Sequence, residues 1–241
     1  MKKIENRKSK IENVRAFTLI ELLLVIAIIG VIAGFTLVVL KPVKAAQYKK
    51  VATAEMNHLE TALENYKAKY GAYPPGNQNA LGVYASPLDR SQFSQLYYEL
   101  AGTTIIGNNF VTLDGSATIP VNSSGQDVKQ AYGVGGFVNC TKGGAEDGTV
   151  AQNFLSGLSS KEIMSSVTNN GIATTILVTS VGGPDLAYEP LKAAGINPFR
   201  YVYPGVNNPG GYDLWVQLVI SGQTNLICNW SRQVQINSSL P

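Results

Sequence analysis

From Leu22 to Leu40 the chain runs nineteen residues without a charged side chain, and one carboxylate, Glu21, stands at the head of that run. As a helix rising about 1.5 Å per residue, the run nearly matches the ~30 Å thickness of a bilayer's hydrocarbon. The pattern predicts a transmembrane helix over residues 17–40. An ionised side chain near the hydrocarbon costs about 2.5 to 3.5 kcal/mol on insertion scales. An acid there therefore implies a partner and a task, or else a side chain that snorkels to the headgroups.

Residues 1–16 form a polar leader with six Lys or Arg and two Glu, repeating Lys-Ile-Glu-Asn at Lys3 to Asn6 and Lys10 to Asn13. A basic leader before an apolar run also fits an ordinary secretory signal, and Val43-Lys44-Ala45 offers small residues at the cleavage spacing. That reading ranks second, because the apolar run exceeds the usual 7 to 15 or so residues of a signal core and carries an acid at its entrance. The leader's charges and Lys41, Lys44, Lys49 and Lys50 beyond the span nearly balance, leaning slightly toward a cytoplasmic N-terminus.

Past the span, Met56, Leu59, Leu63, Tyr66 and Tyr70 recur at separations of three and four, with charged residues between them. The spacing predicts an amphipathic continuation of the same helix over residues 41–70, stopped by Gly71 and Pro74-Pro75. A helix from Phe17 to Tyr70 would reach roughly 80 Å. His58, the single histidine, falls off the apolar stripe and has no second imidazole with which to build a metal site.

Residues 71–241 read as a globular head. Ser91 to Ala101 has a Ser start and a following Gly102, and Ser160 to Val167 reads as a second short helix. Turn chemistry recurs at Gly107-Asn108-Asn109, Asp114-Gly115 and Ser124-Gly125. Strands are expected at Thr175 to Val181, before Gly182-Gly183-Pro184, and at Arg200 to Tyr203. Tyr212 to Ser221 alternates, with Leu214, Val216, Leu218 and Ile220 on one face, and Thr224 to Trp230 follows a Gly222-Gln223 turn of type II′. That register sets Trp215 opposite Trp230. The fold class is α+β: a long N-terminal helix packed on a small antiparallel sheet of about three or four strands.

The sequence offers little for catalysis. It has no Gly-rich phosphate loop followed by Lys, no Cys-x-x-Cys and no nucleophile elbow, and Glu146-Asp147 reads as a solvated pair. No enzyme and no cofactor is expected.

Ala16 followed by Phe17-Thr18-Leu19-Ile20-Glu21-Leu22 resembles the cleavage and methylation signature of type IV pilins and of the pseudopilins of type II secretion. The resemblance implies that a prepilin peptidase cuts between Ala16 and Phe17, that the new amine of Phe17 is methylated, and that Glu21 of one subunit meets that amine on the next during assembly. Ala16 departs from the Gly that the family strongly favours there, and the first proline, Pro42, comes later than in most members. The segment Leu59 to Lys67 with Tyr73-Pro74, and then Asn197-Pro198, Pro204-Gly205 and Tyr212-Asp213-Leu214, is similar in order to the major pseudopilins.

The resemblance implies a lollipop-shaped structural subunit of a secretion pseudopilus or pilus-like filament. It would be single-pass in the inner membrane, with its head in the periplasm, or extracellular once in a filament. Its implied partners are copies of itself and other pilin-like subunits, the peptidase, an inner-membrane assembly platform and membrane lipid. Losing the leader takes the net charge from +3 to −1, which argues against nucleic acid. Members often bind calcium after the Tyr-Asp-Leu element. Here no Asp or Glu occurs between Leu214 and Pro241, so no metal is expected. In that compartment Cys140 and Cys228 either form a disulfide or remain small buried side chains. The alternative function is a membrane-anchored periplasmic binding protein, in which Tyr97, Tyr98, Tyr201 and Tyr203, if exposed, would line a groove.

Overall fold

A computed structural model describes residues 17–76, 94–121, 128–142, 149–157, 164–169, 171–181 and 197–238, with the side chains of residues 35–41, 164, 165 and 169 excepted. The leader with Ala16, the Ser124-Gly125 turn, Glu146-Asp147 and Gly182-Gly183-Pro184 lie outside the described residues. The chain divides into two compact units, Met1–Lys44 and Ala45–Pro241.

Helix α1 runs Leu19–Tyr70 and includes Pro42. In the first unit, every side chain from Phe17 to Gly34 is exposed, including the apolar residues from Leu19 to Ile32. Among the described residues no helix is long and apolar enough to cross a membrane. In the sequence the apolar run goes on through residues 35–41, whose side chains are not among those described.

In the second unit the expected stripe becomes one wall of the core. Ala52, Met56, Leu59, Ala62, Leu63 and Tyr66 are buried, and Tyr70 packs against them half-buried. The helix ends as its composition demands: Gly71 adopts φ +77° and its N–H donates to the Lys67 carbonyl at 2.8 Å. A residue with a Cβ resists that left-handed conformation, which is why Gly stops helices there.

Three sheets complete the unit. Helix α2 (Leu96–Ala101) leads into strands β1 (Thr103–Ile106), β2 (Asn109–Thr112) and β3 (Thr118–Pro120). After helix α3 (Val128–Tyr132), strand β4 (Cys140–Thr141) joins β1 in parallel, giving the order β3-β2-β1-β4. Strands β5 (Met164–Asn169), β6 (Ile172–Thr179) and β7 (Asn197–Pro198) form the second sheet. Strands β8 (Arg200–Val202), β9 (Asp213–Ile220), β10 (Gln223–Cys228) and β11 (Ser231–Ile236) form an antiparallel third sheet, ordered β11-β10-β9-β8. Leu214, Val216 and Leu218 on β9 are fully buried in the cluster that holds the α1 stripe, as the alternation predicts. Burying such a face against a helix is what gives the sheet its stability.

Several expectations are corrected. Ser160 to Val167 is not a helix: residues 164–169 are strand β5, paired residue for residue with β6, and the rest lies outside the described residues. Of Ser91 to Ala101, only Leu96–Ala101 is helical among the described residues. The β9–β10 turn is Ser221-Gly222, one residue earlier than expected, with φ +52° and +79°. Positive φ at both turn positions is type I′, the form whose twist suits a two-residue hairpin. Trp215 is therefore paired with Cys228, while the Trp230 ring reaches it edge-on at 5.6 Å.

Candidate functional site

Glu21 is the residue the sequence singles out, and local geometry holds it. Thr18 precedes the first turn of α1, and its N–H donates to Glu21 Oε2 at 2.9 Å. The Thr18 hydroxyl donates to the same oxygen at 2.7 Å, and the Glu21 N–H approaches Thr18 Oγ1 at 3.3 Å. This is a capping box, in which a Thr and a Glu three residues apart satisfy amides that a helix start leaves orphaned. Its signature, Thr-x-x-Glu before an apolar run, was legible, although the apolar context drew attention to the charge instead. Glu21 Oε1 makes no hydrogen bond among the described residues, so one oxygen is fixed by the cap and the other is free to meet a cation. Phe17, one residue outside the box, is exposed, and Ala16 before it lies outside the described residues.

The cysteines do not meet. Cys140 and Cys228 are both free and buried, Cys140 in the main core and Cys228 with Trp215 and Leu226 in a separate small cluster. The bridge left open by the sequence is not formed in the structure, because each thiol is packed as an apolar group in a different cluster. Burial pushes the Cys228 thiol's pKa up, which further quiets it.

The loop before β9 is organised around Asp213. Asp213 accepts the N–H groups of Val206 at 2.9 Å, Asn207 at 2.8 Å and Asn208 at 2.9 Å, together with the Asn207 carboxamide at 3.0 Å. Donors, not lone pairs, converge on this carboxylate, so its loop is organised by an anion and does not fit a bound cation. Gly205 closes the turn, where a Cβ would stand 2.7 Å from Asp213 Oδ1.

The aromatics required by the binding-protein alternative are interior. Tyr97, Tyr98 and Tyr201 are buried, and Tyr203 packs half-buried against Tyr73 at 5.6 Å. They line no groove, because the core needed their area more than a surface did. His58 is exposed.

Sequence reasoning missed a buried polar hub. The Glu99 carboxylate, on α2, accepts from the Val138 and Asn139 backbone N–H groups at 2.9 Å each, from the Tyr66 hydroxyl at 2.9 Å and from the Gln95 carboxamide at 3.2 Å. The Asn139 carboxamide in turn donates to the Glu99 and Gln152 carbonyls and accepts from the Tyr70 hydroxyl. Nothing in the segment Leu96 to Ala101 distinguishes this Glu from a solvated one. Apart from Gln95, its donors come from sequence positions 33 to 40 residues away.

No family model matches the sequence, and no solved structure matches it. A stretch of 73 residues is 37% identical to the type II secretion system core protein G of Escherichia coli (strain K12), covering 30% of this chain and 50% of that protein. The chain thus spans half the length of the relative it matches.

Proposed function

We propose that the chain is a structural subunit of a type II secretion pseudopilus or a type IV pilus-like filament, anchored by α1 and not an enzyme. The observation that carries this reading is a helical run without a charge from Leu22 to Leu40, exposed over residues 22–34, with one half-satisfied carboxylate at its mouth. A helix apolar all round requires either a protein core or lipid around it. The similarity of 73 residues to the secretion protein supports the same reading.

The mechanism follows from charge and location. Cleavage before Phe17 would leave a positive amine at the membrane surface, and methylation of that amine keeps the charge. Glu21 Oε1 of one subunit would then neutralise the amine of a neighbour. Two opposite charges in a poorly solvated place are tolerable together and costly apart. Assembly would thereby select one axial stagger, with copies of the chain, other pilin-like subunits, the peptidase and an inner-membrane platform as partners, and with the head in the periplasm.

Glu21→Gln tests the role of charge, because a carboxamide oxygen still accepts from Thr18 and preserves the cap. Membrane insertion and leader removal should persist while filament assembly is lost, whereas wild-type filament yield from this variant would sink the proposal. Glu21→Ala alone is less informative, since it also deletes a cap worth about 0.5 to 2 kcal/mol. N-terminal sequencing of membrane-extracted protein should find a methylated Phe17. A retained leader, or trimming near Ala45, would exclude the reading.

A further inference from the structure

The second unit carries a cleft of its own. A cleft of about 430 Å³ opens between α1 and the β10–β11 hairpin. Met56, Asn57 and Glu60 reach it from one helical face, and Trp230, Arg232 and Gln233 from the hairpin. Among the described residues, the side chains of Asn57, Glu60, Arg232 and Gln233 make no hydrogen bond or ion pair. Four polar groups, two neutral amides and one charge of each sign, thus face a single cleft uncommitted. The Trp230 ring, in the turn between β10 and β11, is set by its edge-on contact with Trp215 at 5.6 Å.

The chemistry of that set is specific. Its formal charges cancel, so the cleft carries no field that would select a strong anion or cation. Donors, acceptors, the Trp230 indole and Met56 line the same cleft. A ligand that satisfies all of them must offer many neutral groups that both donate and accept, and also present a C–H face to the ring. Glu60 is half-buried, and burial with nearby Glu64 raises its pKa. We propose that the cleft between α1 and the β10–β11 hairpin binds a neutral polyhydroxylated ligand, a sugar ring stacked on Trp230 with its hydroxyls held by Asn57, Glu60, Arg232 and Gln233.

The test uses the full-length chain in lipid nanodiscs, free of glycosidic detergents. It is titrated with glucose, galactose, N-acetylglucosamine and their β1,4-linked disaccharides, and followed by tryptophan fluorescence and saturation-transfer NMR. At least one sugar should bind saturably with a Kd of roughly millimolar. Asn57→Ala and Gln233→Ala should each weaken that binding about fivefold, one hydrogen bond's worth, without moving the melting temperature. Trp230→Phe should keep part of the affinity and Trp230→Ala lose it. Glu21→Gln should bind as wild type does, so failure of the filament reading and failure of this one are distinguishable. The proposal falls if no sugar in the set saturates, if Asn57→Ala and Gln233→Ala bind as wild type does, or if glycine and dipeptides bind where sugars do not.

Discussion

Glu99 shows how far a single residue's environment can depart from what its neighbours in sequence announce. Its two oxygens each accept one backbone N–H, from Val138 and from Asn139. A carboxamide has only one acceptor oxygen, so Glu99→Gln leaves one of those amides facing an NH₂ group. The expected cost is about 1 to 3 kcal/mol, measurable by urea unfolding. Burial pushes the Glu99 pKa up, against the lowering effect of the hydrogen bonds from Asn139, Val138 and Tyr66. A folded-state pKa above the unfolded value stabilises the fold fully below about pH 4.3, and that contribution is lost as pH rises through the raised value. Wild-type stability should therefore carry a downward component with rising pH that Glu99→Gln lacks; identical pH slopes would refute this account. The contrast with Glu21 is instructive, since the partner of Glu21 is three residues away and was legible as Thr-x-x-Glu, whereas the hub around Glu99 closes only when distant segments meet.

At the scale of elements, legibility followed periodicity. The α1 stripe and the alternation on β9 each repeat over many residues and were read correctly. Strand β11, Ser-Arg-Gln-Val-Gln-Ile, went unread because an edge strand half in solvent carries too few apolar residues to show a period of two. Strand β5 was misread as helix because pairing with β6 outweighs the weak preference of Met-Ser-Ser-Val-Thr-Asn. The β9–β10 hairpin was found but displaced, since Gly222 was set first in its turn although it stands second, after a Ser at φ +52°. A left-handed conformation costs an ordinary L-residue about 1 to 2 kcal/mol, and Asn tolerates it better. Ser221→Asn should therefore stabilise the head by about 0.5 to 1 kcal/mol. In thermal melts that corresponds to a rise of roughly 1 to 4 °C. An unchanged or lowered melting temperature would show that the turn is not strained.

One helix, α1, contributes to both units of the molecule. Exposed apolar side chains crowd Leu19 to Ile32, whereas every residue of the main buried cluster comes from Ala52 onward. That cluster draws on the α1 stripe and on strands of all three sheets, so the second unit contains its own core. A nineteen-residue uncharged run and an amphipathic stripe impose different surroundings on the same helix. The architecture of residues 103–141 was not readable, since its strands are short and pair across intervening segments, as β1 does with β4. A chain beginning at Ala45 should consequently fold without lipid or detergent. It should stay monomeric, give near-ultraviolet dichroism from its packed tyrosines and tryptophans, and unfold in one cooperative transition. Among the described residues its main buried cluster draws on nothing before Ala52, and its exposed large apolar side chains are single ones such as Val150 and Val206, apart from the neighbours Ile105 and Ile106. If that chain instead bound hydrophobic dye and showed no fixed aromatic packing, the second unit would depend on residues 1–44 for its own stability, and the two-unit description would fail.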